Sequence, residues 1–82
     1  MSKKIKLLWD FRGPDSGEIA RHHALHLNDF IKKEKMATQI SGHEVLTDMH
    51  AVAYMVVEEA MMIQIRDALL PHRGEIYNEN LG

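Results

Sequence analysis

The stretch "AVAYMVVEE", residues 51–59, decides how this chain folds. Its first seven residues carry no charge, and both alternating faces are apolar: Ala51, Ala53, Met55 and Val57 on one side, Val52, Tyr54 and Val56 on the other. The β-branched and aromatic content favours a strand. A strand with one solvated face alternates apolar and polar residues, so this one is expected to be covered on both sides.

Working outward, residues 38–46 read as a partner strand, joined to residues 51–57 by a turn around Thr47-Asp48-Met49-His50. Gly42 within that partner predicts a bulge or a close backbone approach. Downstream, "EEAMMIQIRDALL" (58–70) has helical composition with acids at its start. Pro71 stops it, and Gly74 reopens the chain into a last short strand, "EIYNENL". Upstream, "IKLLWDF" (5–11) is a first strand broken by "RGPD" (12–15). Asp15 followed by Glu18 predicts a capping box, and from residue 16 to about 36 the period is helical. Ile19, Ala20, His23, Ala24, Leu27, Phe30 and Ile31 share the apolar stripe, and "KKEK" (32–35) suits the negative helix end.

The order β-α-β-β-α-β is the signature of a ferredoxin-like α+β fold. One domain over residues 1–82 is expected, a four-stranded antiparallel sheet with two helices on one face. Two helices cover one face of such a sheet. The apolar second face of residues 51–57 therefore predicts a homodimer through that open face, two copies related by a two-fold axis.

Composition narrows the function. The chain has 82 residues, 45% of them apolar, with a net charge of −2 and ten scattered Lys and Arg; no basic stripe follows a phosphate backbone, so no nucleic-acid role is expected. There is no cysteine, which removes disulfides, thiol nucleophiles and Cys-based zinc sites. No apolar run approaches the roughly 20 residues that cross a bilayer, and nothing reads as a signal peptide, so a cytoplasmic protein with no membrane role is expected. The absence of a nucleotide fingerprint argues against nicotinamide or ATP, and no cofactor is expected.

Several strings point to a family. His23-x-x-His26-Leu27-x-x-Phe30, Ser41-Gly42, Glu58-Glu59-Ala60 and Asp67 fall in this order over about residues 5–77. In them the chain resembles the YCII-related proteins, within the small dimeric α+β-barrel proteins with ferredoxin-like subunits. That family carries R-x-x-H-L-x-x-L on its first helix and Asp-Pro near the end of its second. Here His23 stands in the arginine's place, and Ala68 follows Asp67. The resemblance implies a dimer and a catalytic histidine–aspartate pair, which would be His26 and Asp67.

The stretch "RHHALHLNDF" (21–30) holds three histidines. His23 lies in the apolar stripe and reads as a core histidine, and His22 lies toward solvent. His26 sits at the stripe's margin, where an imidazole can reach both a cleft and water and so serve as general acid or base. Besides Asp67, Asp10 at the end of the first strand is a candidate to orient it. Trp9, Asp10, His23 and Tyr54 are candidates to line a small-molecule site between sheet and helices. A metal held by His22 and His26 is a lesser reading: it would need a third ligand from His43, His50, His72 or a carboxylate, and no metal site is expected. Met36, Met49, Met55, Met61 and Met62 read as adaptable packing residues. The expectation is thus a small dimeric protein binding an organic ligand with a His–Asp acid/base pair. The alternative is a dimeric binding or structural module without chemistry.

Overall fold

The computed structural model describes residues 3–35 and 40–77. Its elements are β1 (Lys4–Arg12), α1 (Ser16–Lys33), β2 (Ser41–Thr47), β3 (His50–Glu58), α2 (Glu59–Leu69) and β4 (Arg73–Tyr77). They form one four-stranded antiparallel sheet in the order β2-β3-β1-β4, the expected ferredoxin-like α+β arrangement. The expected helix end at residue 36, the start of the second strand at residue 38 and the "NENL" end of the last strand lie outside the described residues. No helix among the described residues is long and apolar enough to cross a membrane.

The core forms where the helices meet the odd-numbered side chains of β1 and β3. Leu7, Trp9, Ala53, Met55 and Val57 pack with Ala24, Leu27 and Ile31 of α1 and Ile65 of α2. Register explains the layer: Leu7 faces Met55, and Trp9 faces Ala53, so large and small side chains alternate under the helices. α1 lies over β2 and β3, whereas α2 lies over β1 and β3. Neither helix roofs β4, which stands at the sheet edge beside β1.

α1 begins where expected, but not by the expected device. Asp15 is the N-cap residue, yet its side chain makes no capping bond. Glu18 instead turns outward to Arg21 at 2.6 Å and to His22 at 3.4 Å. Arg21 and His22 in the next turn compete successfully for the carboxylate that a capping box requires.

The face away from the helices holds a second correction. Leu8, Val52 and Val56 point there, as the strand alternation demands, but they are 4%, 2% and 0% exposed within the single chain. The bare apolar surface expected from residues 51–57 is therefore not present. Part of the shelter is visible in Tyr54. Its ring lies against Gly42 of the neighbouring strand, and Lys6 Nζ stands 4.5 Å from the ring centre. A lysine stem and a flat aromatic ring can shield apolar strand positions while keeping their polar ends wet.

Gly42 thus marks a close approach, one of its two expected roles; the register shift in β2 falls between Val45 and Thr47. A β-carbon at position 42 would stand 2.9 Å from Tyr54 Oη and 3.1 Å from its Cζ. Gly42→Ala is expected to lower stability by about 1 kcal/mol in urea denaturation. In a Tyr54→Leu background most of that loss should vanish, because the colliding atoms are gone; an unchanged penalty there would show that Tyr54 is not the obstacle.

Candidate functional site

The most connected polar group in the described residues is Asp10. It sits near the end of β1, with its side chain on the open face of the sheet opposite Val52. Strand register brings three basic side chains to it. Arg12 pairs with His50, which places the His50 imidazole beside Asp10, with Nε2 2.8 Å from Oδ1. Leu8 pairs with Arg73, which lets the guanidinium reach forward to Asp10. Nε donates to Oδ2 at 2.9 Å and Nη2 to Oδ1 at 3.2 Å, a two-pronged contact.

His72 completes the set through the backbone. Its own N–H donates to Leu8 O at 2.9 Å, continuing the ladder between β1 and the approach to β4. The next ladder bond is made by a side chain: Asp10 N–H donates to His72 Nδ1 at 2.8 Å. Asp10 therefore sets the tautomers of two imidazoles. Its ionised carboxylate can only accept, so His50 carries a proton on Nε2. Its backbone N–H can only donate, so His72 Nδ1 is bare and the His72 proton lies on Nε2.

The Arg73 guanidinium, hydrogen-bonded to Asp10, holds its carboxyl down to about 2, with His50 adding to the effect against a smaller opposing push from burial. The turn presenting His72 and Arg73 is itself constrained. Leu70 closes α2 in the left-handed conformation at φ 50°, where a β-carbon costs about 1 kcal/mol. Trp9 Nε1 donates to Leu69 O at 2.9 Å and so satisfies one of the carbonyls that a helix end leaves unpaired.

Beside this cluster, on the helix side of the sheet, lies a groove of about 400 Å³ between α2 and β4. Its floor and walls are Ile5, Leu7, Met62, Pro71 and Ile76, with Gly74 between them. Arg66 and His72 are its polar residues, while Arg73 and Glu75 border it from β4 with their charged ends turned to the open face. The groove exists because α2 leans toward β1 and β3: the helix face of β4 is left uncovered, and Ile76 is 71% exposed. The volume falls within the ~300–1,000 Å³ typical of small-molecule sites, and an apolar lining with a few polar groups is their usual make-up.

The residues singled out from sequence are placed differently. His26 and Asp67 are both exposed and form no hydrogen bond or ion pair with each other; Asp67 meets Arg66 at 3.4 Å. His26 has no such partner among the described residues. Trp9 is buried in the core with its N–H already engaged by Leu69. His23 packs its ring 5.1 Å from Trp9 and 5.4 Å from Phe11, with Nε2 buried and unpartnered, and burial first, then the nearby His26 and His72, pushes its basicity down. An imidazole so placed is a packing group. Tyr54 lies on the open face, away from the groove. Asp10 is the member of the sequence-derived set that the structure puts at the centre of a constellation, with His50 rather than His26 as its histidine. His22 pairs with Glu18 in solvent, and no group of three or more His, Asp or Glu among the described residues is placed to hold a metal ion.

Comparison of the chain with protein-family models, with curated proteins and with solved structures gave no match in any of the three.

Asp10 gives that geometry a measurable signature. Its folded-state pKa lies below the ordinary 3.8, so its contribution to stability is complete above about pH 4 and is lost as pH falls toward 2. The shift corresponds to about 2.4 kcal/mol at most; with Arg73 43% exposed, solvent screening brings the expected value nearer 1 kcal/mol. Asp10→Asn should lower the unfolding free energy by about that amount at pH 7, with the difference shrinking toward pH 2. A penalty of equal size at both ends of the range would mean that the charge of Asp10 is not what holds the turn.

Proposed function

We propose that this domain is a small-molecule binding module whose site is the groove between α2 and β4. One observation carries the reading. The helix layer stops short of the sheet edge and leaves an apolar floor of Ile5, Leu7, Met62 and Ile76 next to Arg66 and to His72, which the Asp10 N–H holds in place. An apolar ligand of modest size buries that floor without rearranging the core, and burial of apolar surface supplies about 25 cal/mol per Å². The likeness to YCII-related proteins suggests instead a catalytic His26–Asp67 pair. The exposed and unjoined placement of those two residues lends that reading no support, so the function offered is binding.

Gly74 provides the test. It faces Leu7 under the groove, and a β-carbon there would meet Ile5 Cγ2 and Leu7 Cδ2 at 3.5 Å, ordinary contact distances. Gly74→Val therefore places its β-carbon in the groove without a clash, and its methyl groups take up groove volume. It is expected to leave stability unchanged or to raise it by about 0.5–1 kcal/mol, because glycine weakens a strand. The neutral fluorophore phenylnaphthylamine should bind the parent protein saturably and bind Gly74→Val roughly ten-fold more weakly or worse. Saturable binding that Gly74→Val leaves intact would remove the groove from the function.

Homodimerisation through the open face has a smaller drive than the sequence suggests. Leu8, Val52 and Val56 are already sheltered in one chain, so a second copy docking there gains little further apolar burial. It would also have to accommodate Lys6, Asp10 and Arg73 on the same face. Sedimentation at micromolar concentration is expected to give the mass of a monomer. A tight, salt-insensitive dimer would mean that apolar contacts outside the open face join two copies.

A further inference from the structure

Among the groove's polar groups, most donors are already committed. Arg73 uses Nε and Nη2 on Asp10 and approaches Glu75 through Nη1 at 3.4 Å. Glu75 is in turn the carboxylate that Arg73 faces. What is left over is specific. His72 has its Nδ1 occupied by the Asp10 N–H, so its Nε2–H is a donor with no partner among the described residues. Arg66 spends Nε on a long contact of 3.4 Å to Asp67, and its two Nη groups have no partner among the described residues. Both residues line the same groove, next to Met62 and Ile76.

We infer that the ligand of this groove carries a carboxylate, with its apolar body on the floor and its head group held by Arg66 and by His72 Nε2–H. The inference deepens the binding reading above and rests on it. A guanidinium and an imidazole N–H together offer several donors and no acceptor, which suits the two oxygens of a carboxylate better than a hydroxyl or an amine. Charge limits the head group further. The charged ends of Arg73 and Glu75 lie with Asp10 on the other face of the sheet, which leaves the Arg66 guanidinium as the charged group offered to a ligand. A single negative charge balances that guanidinium; a doubly charged phosphate would sit partly uncompensated. Asp10 enters as a positioning residue: by accepting from Arg73 and donating to His72, it keeps the first out of the competition and the second in the tautomer that donates.

The experiment compares decanoate with decanol, which share a ten-carbon chain and differ at the head, by calorimetric titration of the whole protein. Decanoate is expected to bind at least about ten-fold more tightly than decanol. Arg66→Gln and His72→Asn should each lower decanoate affinity and leave decanol affinity unchanged, and Arg66→Lys should recover part of the loss. His72→Asn keeps an acceptor for the Asp10 N–H at the loss of an edge contact with Phe11, and Arg66 is exposed with one long contact to Asp67, so the hydrogen bonds that hold the turn are kept. If both ligands bind equally, or if the substitutions weaken both alike, the groove stands as a binding site and the carboxylate assignment is overturned. If neither ligand binds, the groove reading fails and this inference fails with it.

Discussion

The structure depends on the grip of β1 on the turn between α2 and β4. Three consecutive β1 residues fasten it: Leu8 accepts from the His72 N–H, Trp9 donates to the Leu69 carbonyl, and Asp10 donates to His72 Nδ1. Each bond is modest, about 1 kcal/mol net. Together they determine where α2 ends, force Leu70 into a left-handed cap and set the direction from which β4 approaches. The gap between α2 and β4 follows from that direction. A helix whose last carbonyl is tied to the centre of β1 cannot also lie over the edge strand.

The same strand separates two chemistries across the sheet. Its odd-numbered side chains, Ile5, Leu7, Trp9 and Phe11, belong to the core or its margin. Among its even-numbered side chains, Lys6 covers Tyr54 and Asp10 gathers His50 and Arg73. Asp10 connects the two sides, since its carboxylate works on the open face while its amide organises His72 at the groove.

Particular residues show how far sequence reading reaches into the site. Asp10 was visible as a strand-end carboxylate, and His23 as a histidine within an apolar stripe. Arg73 was not visible, because nothing local distinguishes it from any other basic residue after a proline. It becomes special through its register with Leu8, one strand over from Asp10 and 63 residues away in sequence. His26 attracted notice because three histidines crowd one stretch of helix. Crowding along a helix is a local fact, however, and whether a carboxylate faces one of those imidazoles is not. The shelter of Leu8, Val52 and Val56 was hidden for a related reason: strand alternation tells which face a side chain takes, not what its neighbours lay across that face.

By itself the sequence determined the order and kinds of elements and the central place of the strand read at residues 51–57, because periodicity, breakers and charge bias act within a few residues of where they are written. Tertiary structure decided which histidine meets which aspartate, where the helix layer stops and which donors remain uncommitted. Those outcomes depend on strand register, which joins residues 40 and more positions apart, and no short-range pattern encodes such a pairing.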